Sequence, residues 1–163
     1  MSWPASPQRT VPDPSLQLKI CHERFEPLQV LAAWQQQLAQ RPQGAPAAEA
    51  QFIGRVRGVD ANGQPLQALE LEHYPGMTEA QITDLAQATA GRQGVAAVLV
   101  WHRVGLVLPG EAIVLVAAAA DRRGPAQRCV QQLLEDLKHE APFWKRERRV
   151  DGSGAWVQGN TAF

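Results

Sequence analysis

Two lysines seven residues apart, Lys138 and Lys145, bracket Pro142, Phe143 and Trp144 in the stretch "LKHEAPFWKRE", residues 137–147. Lys19 is the other lysine in a chain of 16 basic residues, and the rest are arginines. The distinction is chemical, because an ammonium group can lose its proton and act as nucleophile or base, whereas a guanidinium stays charged. A lysine with an ordinary pKa of about 10.4 is almost wholly protonated at pH 7, so such a use requires burial or neighbouring cations. Arg146, Arg148 and Arg149 supply cations close by in sequence, while the end of a helix dipole would favour the charged form of Lys138. Cations in a last helical turn are also ordinary caps, and alternating basic residues are also an ordinary solvated face. These residues alone leave both readings open.

Arginines elsewhere suit anion recognition. Arg55 and Arg57 stand two apart in "GRVRG", so on a strand they share a face, and Arg122 and Arg123 stand just before a helix start, where backbone N–H groups also favour anions. Phosphate or carboxylate binding is one reading and scattered surface charge the other. His73 and His102 fall in strand-like runs without a second ligand at metal spacing and read as structural histidines. Cys129 lies beside an apolar helical stripe and reads as packing. No Gly-rich phosphate loop, nucleophile elbow or zinc-binding helix motif is present, and no metal or resident cofactor is expected.

The elements that must position these groups follow from periodicity. Leu28, Leu31, Trp34 and Leu38 predict a first helix over 26–40. "EAQFIGRVRGVDANGQPLQALELEHY" predicts a hairpin turning at Asn62-Gly63, with Leu69, Leu71 and His73 on one face and Glu70, Glu72 and Tyr74 on the other. Thr78 with Gln81 suggests a capping box for a second helix, which carries Ile82, Leu85, Ala86 and Thr89 inward and ends near Gly91 to Gly94. "VAAVLVWHRVG" and "EAIVLVAAAA", separated by Pro109-Gly110, predict buried strands in the middle of a sheet. A third helix begins near Pro125, carries Val130, Leu133, Leu134 and Leu137, and stops at Pro142 with Lys138 in its last turn. "FWKRERRV" and "AWVQ" around "DGSG" predict a second hairpin. Mixed helices and strands without regular βαβ repeats imply an α+β fold with mainly antiparallel pairing.

Composition bounds the function. The 163 residues, 45% of them hydrophobic, suit one domain with a real core. The expected domain covers residues 16–158, between a Pro-rich tail over 1–15 and a short tail over 159–163. A net charge of +0 provides no global field for nucleic acid or membrane, although residues 121–150 hold eight basic against five acidic side chains. With no stretch suited to spanning a membrane, no signal-peptide layout and two cysteines, the expectation is a cytoplasmic protein that binds neither nucleic acid nor membrane.

Taken together, "GRVRG", "LELEHYPGM", "WHRVGLVLPGE" and above all "LKHEAPFWKRE", in this order, resemble the large, catalytic subunit of molybdopterin synthase, the MoaE family. The resemblance covers roughly residues 16–158. It implies an α+β fold with a hammerhead-like part. It further implies a homodimer that becomes a heterotetramer by binding a small ubiquitin-like sulfur-carrier subunit ending in Gly-Gly with a terminal thiocarboxylate. Two successive sulfur transfers would convert cyclic pyranopterin monophosphate, the pterin substrate, into the dithiolene of molybdopterin. By resemblance Lys138 and Lys145 are catalytic, Arg57 and Arg146 bind phosphate or pterin with Arg55 alongside, and Glu147 completes the pocket-lining "KRE". One departure stands out: the family usually shows His-Arg before the third helix, and here the pair is Arg122-Arg123. Arg123 can take the arginine's role, but Arg122 cannot act as a histidine-like acid or base at pH 7. A non-catalytic member that binds carrier or pterin is therefore the alternative.

Overall fold

The computed structural model describes residues 13–157; residues 1–12 of the expected N-terminal tail and the expected tail at 159–163 lie outside them. In chain order the elements are β1 (Ser15–Cys21), α1 (Pro27–Ala39), β2 (Ala48–Arg55), β3 (Leu66–His73), α2 (Met77–Gln93), β4 (Ala97–Arg103), β5 (Gly105–Val107), β6 (Ala112–Ala120), α3 (Arg123–Glu140), β7 (Phe143–Arg149) and β8 (Gly154–Trp156). They form two four-stranded sheets, ordered β1-β4-β6-β2 and β5-β3-β7-β8. Every pairing is antiparallel except β1 with β4. The α+β expectation with three helices holds.

The two apolar runs become β4 and β6 at the centre of the first sheet, as sequences dominated by valine, leucine and alanine, with polar residues only at the His102-Arg103 end of β4, suit strands covered on both faces. On one face Val98, Val100, Val116 and Ala118 pack against Ile82 and Ala86 of α2 and Leu133 and Leu137 of α3. On the other, Leu99, Leu115 and Ala117 meet Leu31, Trp34 and Leu38 of α1. Residues 15–21, to which periodicity gives no element and whose first residue belongs to the expected tail, form β1, whose Leu16, Leu18 and Ile20 extend the α2–α3 face.

The first expected hairpin is corrected. The chain does reverse at Asn62-Gly63, with Gly63 at φ 79° and the Asp60 carboxylate accepting from the Asn62 and Gln64 N–H groups at 2.9 Å each. Pairing across that turn amounts to one bridge, Val59 with Pro65. β2 belongs to the first sheet and β3 to the second. The cause lies at Gly54/Arg55, where the β2–β6 register shifts and the backbone runs so close to β6 that a Cβ on Gly54 would lie 2.9 Å from a Val114 methyl. Beyond that bulge the strand leaves β6, and Val56 packs with Leu71 and Val107 between the sheets. The second expected hairpin, β7 with β8, is present.

Candidate functional site

α3 ends where it does because proline disfavours a helical residue before it. Ala141 is extended, with ψ 131°, and the chain passes directly into β7. Lys138 thus leaves from the last turn of a helix and Lys145 from the third residue of a strand. The break between them is held from α2. The Gln81 side-chain amide donates to the Glu140 carbonyl at 2.8 Å. Thr78, fully buried, accepts from the Tyr74 N–H at 3.0 Å and turns its hydroxyl toward the Pro142 carbonyl at 3.5 Å. This corrects the expected Thr78–Gln81 capping box. Gly76 is the N-cap, its N–H donating to Glu79 at 2.6 Å, and Thr78 and Gln81, lying inside the first turns, face the α3–β7 junction instead.

Along β7, side chains alternate between the two faces of the second sheet. Phe143, Lys145 and Glu147 lie opposite His73, Leu71 and Leu69 of β3, so all six share the inner face. Trp144, Arg146 and Arg148 lie opposite Glu72, Glu70 and Ala68 on the outer face. Lys145 therefore emerges next to buried Leu71. Its pKa is lowered, first by burial and then by the positive charge of Lys138. The two lysines lie within electrostatic reach of each other, with Glu147 on the same face as Lys145.

Two histidines complete the surroundings of Lys145. His102, at the end of β4, is buried, and its ring stacks on Phe143 with centroids 4.0 Å apart and planes 11° apart. Burial pushes its pKa down to about 4, assisted by the charges of Lys145 and His73 and opposed by the bond to the Arg103 carbonyl. His73 lies 3.7 Å from Glu79 and edge-on to His22 at 5.9 Å. From sequence alone His73 and His102 read as structural, with no place beside the lysines. Both fall at strand positions, and their neighbour is revealed only by the pairing of β3 with β7 and the meeting of β4 with Phe143. Cys129 is buried, with its pKa pushed up to about 11 by burial. No group of three or more His, Cys, Asp or Glu among the described residues could hold a metal ion, and none of the described helices is long and apolar enough to cross a membrane.

The arginines divide. Arg55 and Arg57 are exposed on the side opposite buried Val56, and Arg55 donates to the Gly110 carbonyl at 3.1 Å. Arg146, expected in the pocket with Lys145, projects from the other face of β7, its guanidinium 5.9 Å over the Trp156 ring. Arg122 and Arg123 line an open depression at the α3 N-terminus with Arg128 and Asp121. Fifteen residues of helix separate Arg123 from Lys138, about 22 Å at the helical rise. Within one chain these arginines do not meet the lysines. Lys138 instead lines a groove between α3 and β2 with Phe52, Val130 and Leu134.

Known proteins provide the context for this arrangement. The family model described as MoaE protein matches residues 23–140. A molybdopterin synthase catalytic subunit from Ralstonia nicotianae is 44% identical over 110 residues, covering 68% of this chain and 61% of that protein. A solved MoaE protein from Burkholderia ambifaria superposes with a TM-score of 0.69 at 33% identity, covering 92% of each chain. The fold also matches, at 23% identity and TM-score 0.71, a complex of subunits 1 and 2 of molybdopterin-converting factor from Helicobacter pylori, covering 86% of this chain and 90% of that one. The match spans 61% and 64% of the lengths of the first two curated relatives.

Proposed function

Because the chain belongs to the MoaE protein family, we propose that it works as the catalytic subunit of a molybdopterin synthase. It takes sulfur from the C-terminal thiocarboxylate of a small Gly-Gly carrier and delivers it to cyclic pyranopterin monophosphate. The observation that supports this most is Lys145, half-buried on the inner face of β7, with its proton affinity lowered by burial and by Lys138. Sulfur delivery leaves an acyl carbon to be released and a phosphate ring to be opened, and both need a group that can give and take a proton near neutral pH. Lys145 is that group. Lys138, exposed at the end of α3, serves as the clamp for the carrier's terminal carboxyl group.

The anion clamps for the pterin phosphate are Arg57, Arg122 and Arg123, with Arg55 beside them and Glu147 at the lysine end. Since Arg122 and Arg123 sit at the far end of α3 from the lysines, a shared pocket needs a second copy of the chain to bring them in. A homodimer with one carrier per protomer, in the cytoplasm and with residues 16–158 as the working domain, fits this requirement. Arg146, on the outer face, is left out of the pocket.

The test is conversion of the cyclic precursor by purified protein with thiocarboxylated carrier. Lys138→Ala and Lys145→Ala should each abolish dithiolene formation while the protein stays folded, and retained turnover in both overturns the reading. Arg122, where the family usually has histidine, motivates the alternative of a binding member without turnover. That alternative predicts carrier complex formation by the unaltered protein with no product released.

A further inference from the structure

The inward stripe of β4 that faces α2 and α3 runs Val98, Val100, His102. The first two are core valines, and an apolar third residue would fill the position without the cost of desolvating a polar ring. Its Nδ1 lies 2.8 Å from the Arg103 carbonyl oxygen, and a carbonyl only accepts, so Nδ1 carries the hydrogen. That bond fixes the ring plane. The opposite side of the contact is Phe143, the first residue of β7, which lies two positions before Lys145 on the same face.

From this geometry we infer that His102 is a positioning residue for Lys145: its flat ring, locked by the Arg103 carbonyl, seats Phe143 and so holds the Lys145 amine in its half-buried setting. The inference deepens the proposed function and rests on it for the use made of that amine. A ring that is neutral near pH 7 does this without adding a cation beside the lysine. The charged or titratable groups around Lys145 are Lys138 from α3, His73 from β3, Glu147 on β7 itself and, behind His73, Glu79 from α2. On β3 the direct cross-strand neighbour is apolar Leu71. The depth of Lys145 is therefore set by packing, and His102 with Phe143 is the stacked aromatic pair nearest to it on its own face of β7, the Trp144–Tyr74 pair lying on the other face.

The chain has three lysines, which makes the test direct. The full-length protein is trace-labelled with acetic anhydride across pH 6 to 11, and acetylation at Lys19, Lys138 and Lys145 is quantified by peptide mass spectrometry. In His102→Ala the labelling midpoint of Lys145 should move to higher pH, so that labelling at pH 8 falls severalfold relative to Lys19. His102→Phe, which keeps a flat ring, should restore most of the original midpoint. An unmoved Lys145 midpoint in a folded His102→Ala protein overturns the inference. If that variant does not fold, Phe143→Leu removes the stack from the other side and should shift Lys145 the same way, an unmoved midpoint again being fatal. Labelling needs neither carrier nor pterin. A moved midpoint in a protein without turnover would therefore sink the proposed function and leave the coupling of His102 to Lys145 standing.

Discussion

The two sheets are built from opposite materials. The central strands of the first, β4 and β6, are mostly alanine, valine and leucine, with Leu99, Val100, Leu115, Val116 and Ala117 at 0% exposure between helices on both faces. The central strands of the second, β3 and β7, alternate an inner face with a charged outer one, where Arg148 donates twice to Glu70 at 2.9 and 2.7 Å. A strand covered on both faces cannot carry an amine that must reach solvent and substrate. A strand with one wet face holds it loosely unless something fixes that strand from behind. Here the first sheet braces the second directly through His102 on Phe143, and α2, packed on the first sheet, does so through Gln81 and Thr78 at the α3–β7 break.

If that division of labour is right, damage to the second sheet's inner face should remove activity, and damage to the first should remove stability. The largest effect is expected from Lys145→Ala, a loss of about 10³-fold or more in dithiolene formation with an unchanged circular dichroism spectrum. Leu115→Ala should cost about 2–5 kcal/mol by urea denaturation, while turnover per folded molecule stays near that of the parent. An activity loss without a stability loss there would break the comparison.

Lys145→Met sharpens it further. A lysine whose folded pKa is lowered binds fewer protons folded than unfolded between the two values, so stability rises with pH across that window. Below the folded value the penalty for burying the charge is full, and above the unfolded value of about 10.4 it is gone. The methionine variant should therefore be more stable than the parent near pH 7, by an amount that shrinks as pH approaches 10, measured as urea midpoints along a pH series.

The smallest effect is expected at the tip joining the sheets. Asp60 is held below the usual carboxylate range, first by the Arg149 side chain, whose Nε donates at 2.8 Å, and then by backbone N–H groups. Its contribution is complete above its unfolded pKa of about 3.9 and is lost as pH falls through the lower folded value. Asp60→Asn should flatten the acid limb of the stability curve below about pH 4 and leave turnover at neutral pH untouched.

Much of this was legible in the residues. The stripe Val130, Leu133, Leu137 and the stop at Pro142 placed Lys138 at a helix end, and the alternation through "FWKRE" separates Lys145 from Arg146 by face once the strand is known. The resemblance puts both in one pocket because it carries residues over by motif, whereas alternation sets them on opposite faces of β7. His102 gave no signal of its own, since a histidine within an apolar run looks the same whether or not a lysine lies behind it.

What the sequence determined by itself is local: three amphipathic helices, two inert central strands, the turn chemistry, and a pair of ionisable amines either side of a proline break. These follow from periods of 3.6 and 2.0 and from proline's missing N–H, which act within a few residues. What only the tertiary structure decided is which strands pair across the chain. The bulge at Gly54/Arg55 sends β2 and β3 to different sheets, β4 brings His102 against β7, and α2 reaches the α3–β7 break. Those contacts join residues tens of positions apart, where packing and closure rather than local propensity determine the outcome. They also bury Lys145 and so lower its pKa, whereas the distance from Lys138 to Arg122 and Arg123 is the length of α3 itself.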